Sequence, residues 1–75
     1  MDRSIEVEVE WDGEASVWIA SSPDIGLFTE AETLDEIRRK VPIIASDLIE
    51  GEFPEGGRLH LELRVRLDEV LPAAA

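Results

Sequence analysis

The 75-residue chain sets seven Lys or Arg against eighteen Asp or Glu, a net charge of −11 with a pI near 4.2, and it has no cysteine. A chain this short buries only about 60% of its unfolded surface, which gives a single domain over residues 1–75 that association would help to stabilise. The charge argues against direct nucleic-acid binding, which needs cations to release phosphate counterions. The missing cysteines exclude disulfides and thiolate metal sites, and no apolar run reaches the roughly 18–20 residues of a membrane span.

The first element is a strand. Ile5, Val7, Val9 and Trp11 alternate strictly with Glu6, Glu8 and Glu10, the pattern of a half-buried β-strand. Asp12-Gly13 follows with turn chemistry, since glycine tolerates positive φ and Asp can bond its own backbone. Val17-Trp18-Ile19-Ala20 forms a second strand, closed by Ser21-Ser22-Pro23-Asp24 because proline has no N–H for a ladder. Residues 25–30, around Leu27 and Phe28, read as a shorter third strand.

Thr33-Leu34-Asp35-Glu36 is a capping box, in which hydroxyl and carboxylate each satisfy an orphan N–H of the first helical turn. At about 100° per residue, Leu34, Ile37, Val41, Ile44 and Leu48 fall within about 80° of arc, the expected core stripe of one amphipathic helix. Pro42 predicts a kink, or two short helices with Pro42 opening the second. Gly51 is placed to end the helix as a C′ residue. A polar loop, residues 52–57, contains Phe53 as its single apolar residue. Leu59, Leu61, Leu63, Val65 and Leu67 then alternate with His60, Glu62, Arg64 and Arg66 in a last strand. The core spans about residues 3–67, and 68–75 is expected to be a frayed tail.

These elements predict an α+β fold in the order βββαβ. It has a three-stranded antiparallel sheet, a fourth strand beside and parallel to the first, and one helix packed on one face. The fourth strand is placed by charge: Arg64 and Arg66 would neighbour Glu6, Glu8 and Glu10 on the solvent face. The inner face would pack Ile5, Val7, Val9, Leu61, Leu63 and Val65 on the helix stripe. The second strand holds large apolar groups on both faces. An odd hairpin loop would turn Val17 and Ile19 inward, and an even one Trp18. Whichever side is left outside joins Phe28 in an exposed apolar patch, so Val17, Trp18, Ile19 and Phe28 are the candidate partner or oligomer interface.

No catalytic, cofactor-binding or metal-binding residues are expected. A two-metal nuclease needs carboxylates converging on ions about 4 Å apart. Glu8, Glu10, Asp24, Glu36, Asp47 and Glu62 are plentiful, but the strand glutamates are better explained as a solvated face beside arginines. Arg38, Arg39 and Lys40 have Asp35 and Glu36 at helical pairing distance. His60 belongs on an outer strand face. The opening MDRSIEVEVE lacks the form of a signal peptide, so a cytoplasmic location is expected.

The strings Trp11-Asp12-Gly13-Glu14-Ala15, Val17-Trp18-Ile19-Ala20, Pro23-Asp24-Ile25-Gly26-Leu27 and Glu30-Ala31-Glu32-Thr33-Leu34-Asp35-Glu36 together resemble the HicB-like family of small domains, in the branch of the DUF1902 type. Ile25-Gly26-Leu27 lacks the second proline of that family's corner, and Glu30-Ala31-Glu32 replaces a common Gly-Asp before the threonine. The resemblance implies a partial RNase H-like fold and an antitoxin-type role: binding and blocking a HicA-like toxin, a small basic mRNA-cleaving protein. Many such antitoxins add a C-terminal DNA-binding domain. Residues 68–75 leave no room for one, so repression is not expected of this chain. A homodimer or higher homo-oligomer is expected, and the alternative function is a stand-alone, self-associating structural module without a toxin partner.

Overall fold

The computed structural model describes residues 2–50 and 57–68. Four strands, β1 (Asp2–Asp12), β2 (Val17–Ser22), β3 (Leu27–Ala31) and β4 (Arg58–Arg66), form one sheet in the order β3-β2-β1-β4, and one helix, α1 (Leu34–Leu48), joins β3 to β4. β1 pairs antiparallel with β2, β2 antiparallel with β3, and β1 parallel with β4. The α+β architecture and the place of the fourth strand therefore match the expectation. Among the described residues no helix is long and apolar enough to cross a membrane.

Register explains the placement of β4. Glu8 lies opposite Arg64 and Glu10 opposite Arg66, and Arg64 Nη2 reaches Glu6 Oε1 at 3.0 Å. Such pairs are worth little in isolation because they face water. They do distinguish this strand order from one in which the three glutamates of β1 have no cations beside them.

The first hairpin keeps the expected Asp12 bonding but not the expected glycine conformation. Asp12 Oδ1 accepts from the backbone N–H groups of Glu14 (3.0 Å) and Ala15 (3.3 Å), and the left-handed residue is Ser16, at φ 57°, rather than Gly13. β2 runs on to Ser22, and Pro23–Ile25 form a single 3₁₀ turn closed by Gly26 at φ 67°. Ile25 thus belongs to the turn, and β3 starts at Leu27 instead of Ile25. The reason is Pro23, whose fixed φ suits the first position of a helical turn. Buried Ser22 ties β2 to β1, its Oγ donating to the Glu6 carbonyl at 2.8 Å.

Thr33 caps α1 with the hydroxyl half of the capping box, its Oγ1 accepting from the Glu36 N–H at 3.1 Å, while among the described residues the Glu36 carboxylate makes no return bond to the Thr33 N–H. The helix is continuous through Pro42, so it is not split into two. The Gly51 stop, residues 52–56 of the loop and the tail beyond Asp68 lie outside the described residues.

The core corrects two further expectations. The fully buried side of α1 is Ile37, Val41 and Ala45, continued by the C-cap residue Ile49, while Leu34 and Leu48 stand exposed and Ile44 is half-buried. The stripe is rotated toward Ala45, whose small side chain lets the helix lie close to the sheet. The helix rests chiefly on β3 and β2. Ile5, Val7, Val9, Ala20, Leu27 and Ala31 complete the core, whereas Leu61 and Leu63 are half-buried and Val65 is 52% exposed. The apolar row of β4 is therefore only partly roofed.

Candidate functional site

Counting the hairpin decides which side of β2 faces outward. Asp12 pairs with Val17, so the loop holds residues 13–16, an even number. Trp18 then shares a face with Trp11, and Ala20 with Val9. This is the helix side, where Val9 and Ala20 are buried. Trp11 and Trp18 meet with ring centroids 5.2 Å apart and planes tilted by 60°, a geometry that suits the aromatic quadrupoles. Trp18 packs on the core and is separated from the other three candidate residues by the thickness of the sheet.

Val17 and Ile19 occupy the opposite face with Phe28. Two rows cross it. One runs Phe28, Ser21, Glu8, Arg64 and the next Glu30, Ile19, Glu10, Arg66. Ile19 is thus flanked directly by two carboxylates, and Phe28, 66% exposed, is its diagonal neighbour. Diagonal positions lie about 7–8 Å apart, within reach of an aromatic side chain. Val17 extends the strip beside Asp12. The outer face is graded: apolar at Val17 and Ile19 on β2 and at Phe28 on β3, acidic at Glu30 and along β1, and cationic at Arg58, Arg64 and Arg66 on β4.

Reading the sequence missed Glu10 and Glu30 as the flanks of this strip. Alternation was the available signal for Glu10. Glu30 needed the register between β2 and β3, which sequence spacing does not supply. Arg64 is the best-defined cation of the face. Its hydrogen bond to Glu62 at 3.0 Å, followed by the charge of Glu6, holds its pKa above the usual arginine value. Arg66 Nε reaches Asp68 Oδ2 at 3.1 Å.

On the helix side, the start of α1 and the open row of β4 enclose a groove of about 360 Å³ lined by Val9, Leu34, Asp35, Ile37, Arg38, Leu61, Leu63 and Val65. Lys40 Nζ donates to the Glu30 carbonyl at 3.0 Å. Among the described residues, the ion pairs expected from Asp35 and Glu36 to Arg38, Arg39 and Lys40 are not formed. His60 is exposed on β4, opposite Ser4. Among the described residues, no group of three or more His, Cys, Asp or Glu side chains is placed to hold a metal ion.

The solved structure of a hypothetical protein, TTHA1013 from the extremely thermophilic bacterium Thermus thermophilus, is similar to this chain. The two are 40% identical with a TM-score of 0.65, over 95% of this chain and 100% of that one. No curated protein matches the chain. Residues 4–70 match the model of a domain of unknown function, DUF1902. The chain belongs to the DUF1902 family.

Proposed function

We propose that this domain is a protein-binding module of the HicB-like antitoxin type, which neutralises a small basic HicA-like mRNA-cleaving toxin and has no catalysis of its own. The observation that carries the reading is the outer strip of β2 and β3, with Phe28 66% exposed and Ile19 set between Glu10 and Glu30. An aromatic anchor with charge kept to its rim is the anatomy of a protein interface. Carboxylates around it favour a cationic partner and speed its encounter. The net charge of −11 acts in the same direction over longer range. Such a module works by covering the toxin's basic RNA-binding surface, in the cytoplasm where mRNA is cut.

The test is genetic and biochemical. A reading frame beside this gene should encode a small basic protein, and co-expression should give a complex that Phe28→Lys disrupts. Absence of such a frame, together with no copurifying partner, counts against the reading and leaves a self-associating structural module in its place.

A further inference from the structure

We propose that the outer edge of β4 is a dimerisation edge, taken up by β4 of a second copy running antiparallel about a two-fold axis at Leu63. Among the described residues β4 ends the sheet, with β1 on one side and no strand on the other. Sheet edges of this kind are usually blunted by proline, bulges or inward-pointing charge. β4 spans nine residues without proline, lysine or glycine, and it pairs with β1 in an uninterrupted register. Its charged side chains lie on the outer face, so they leave the edge itself open.

Those charges are self-complementary in one register. In a two-fold antiparallel pair, residues equidistant from the axis face one another. With Leu63 on the axis, Glu62 of each copy meets Arg64 of the other, His60 meets Arg66, and Arg58 meets Asp68. The hydrogen bond from Arg66 to Asp68 already brings Asp68 alongside the outer row. Neighbouring registers fail. Centring on Leu61 sets Arg58 against Arg64, centring on Glu62 sets that carboxylate against its own copy, and centring on Arg64 does the same with two guanidinium groups. Like charges directly opposite destabilise a strand pair.

The apolar row selects the same register independently. About Leu63, Leu61 meets Val65, and Leu59 meets Leu67. Val65 and Leu67 are 52% and 51% exposed, because α1 rests on β3 and β2 and leaves β4 partly uncovered. The pairing runs two residues past β4 and gives these side chains lateral partners. The result is a continuous eight-stranded sheet with both helices on one face. The Ile19–Phe28 strips then sit at its two far ends, free for a partner and doubled in valency. This dimer stands whether or not a basic partner exists.

Sedimentation equilibrium on the full chain and a cysteine cross-link test the proposal. The wild-type protein should be a dimer at micromolar concentration. Glu62→Arg alone or Arg64→Glu alone creates two like-charged contacts per dimer, and should raise the dissociation constant by about tenfold or more. The double variant E62R/R64E restores opposite charges across the axis and should restore the dimer. It also keeps the fold, because the cation on β4 moves from its place opposite Glu8 to the place opposite Glu6, a balanced exchange within the chain. The chain has no cysteine, so Leu63→Cys should form a covalent dimer on mild oxidation, opposed residues in antiparallel strands being close enough for a disulfide. Ile43→Cys, on the outer side of α1, should form no covalent dimer under the same oxidation. A monomeric wild-type protein overturns the proposal. So does a dimer indifferent to charge reversal, or one in which Leu63→Cys cross-links no faster than Ile43→Cys.

Discussion

Glu6 and Glu62 stand directly opposite one another across the parallel β1–β4 pair, and both are bonded by Arg64, through Nη2 and Nε respectively, each at 3.0 Å. Two like charges in register would separate the strands. One guanidinium with donors on two of its nitrogens removes the conflict, which a lysine's single ammonium cannot do with the same geometry. Arg64→Met keeps the stem and removes the cation, so it should lower the melting temperature, most at low ionic strength, with the difference shrinking as salt is added. The pKa of Arg64 is raised, so its contribution is fully present below the usual arginine range and is lost only as pH rises through the folded value. The wild-type and Arg64→Met melting curves should therefore stay the same distance apart from about pH 7 to about pH 10. Melting curves across salt and alkaline pH check both statements, and a gap that closes on mild alkalinisation would contradict them.

The helix offers a second test. Ile37 is 1% exposed and belongs to the buried line Ile37, Val41, Ala45, Ile49, whereas Leu48 is exposed. Ile37→Ala should cost about 2–5 kcal/mol, and Leu48→Ala about 0.5 kcal/mol or less. Denaturant unfolding distinguishes this rotation from the one periodicity alone predicts, under which both changes would be equally severe. The sequence pattern places the stripe by its large residues. It cannot weigh Ala45, whose value lies in what its small size permits between helix and sheet. The existence of the helix and its start at Thr33 were readable because the cap is local chemistry. Its rotation was not, because that depends on the surface it meets.

Ser22 shows the same limit at a strand end. In the sequence it reads as part of the Ser-Ser-Pro-Asp stop, yet it is 1% exposed and donates to the Glu6 carbonyl at 2.8 Å. Ser22→Ala should cost about 1 kcal/mol, since the acceptor left behind is partly buried. Ser22→Leu should cost more, because the site is already filled. Unfolding free energies of the two variants give the order directly, and equal stability for all three proteins would refute the assigned bond.

The Thr33 cap can be removed without touching the core. Thr33 is exposed, and its Oγ1 accepts from Glu36 N–H at 3.1 Å. Thr33→Ala should cost about 1 kcal/mol and Thr33→Ser much less, because serine is an equally good N-cap. A Thr33→Ser variant as unstable as Thr33→Ala would assign the loss to the methyl group and not to the cap.

The candidate interface separates into two kinds of residue, and stability tells them apart. Val17, Ile19 and Phe28 share the outer face, while Trp18 lies on the helix side against Trp11. The distinction rests on the parity of a four-residue loop, which the sequence left open because Asp12-Gly13 is compatible with more than one turn length. Phe28→Lys removes no buried contact, so its stability should stay within about 0.5 kcal/mol of wild type. Trp18→Lys places an ammonium beside the core and should destabilise the fold by several-fold more. If the outer strip binds a basic partner, Phe28→Lys should lose binding while melting normally, because it removes the aromatic anchor and adds a repelling charge. Parallel melting and pull-down measurements on the two variants resolve the roles. A Phe28→Lys protein that unfolds as readily as Trp18→Lys would move Phe28 from the interface to the core.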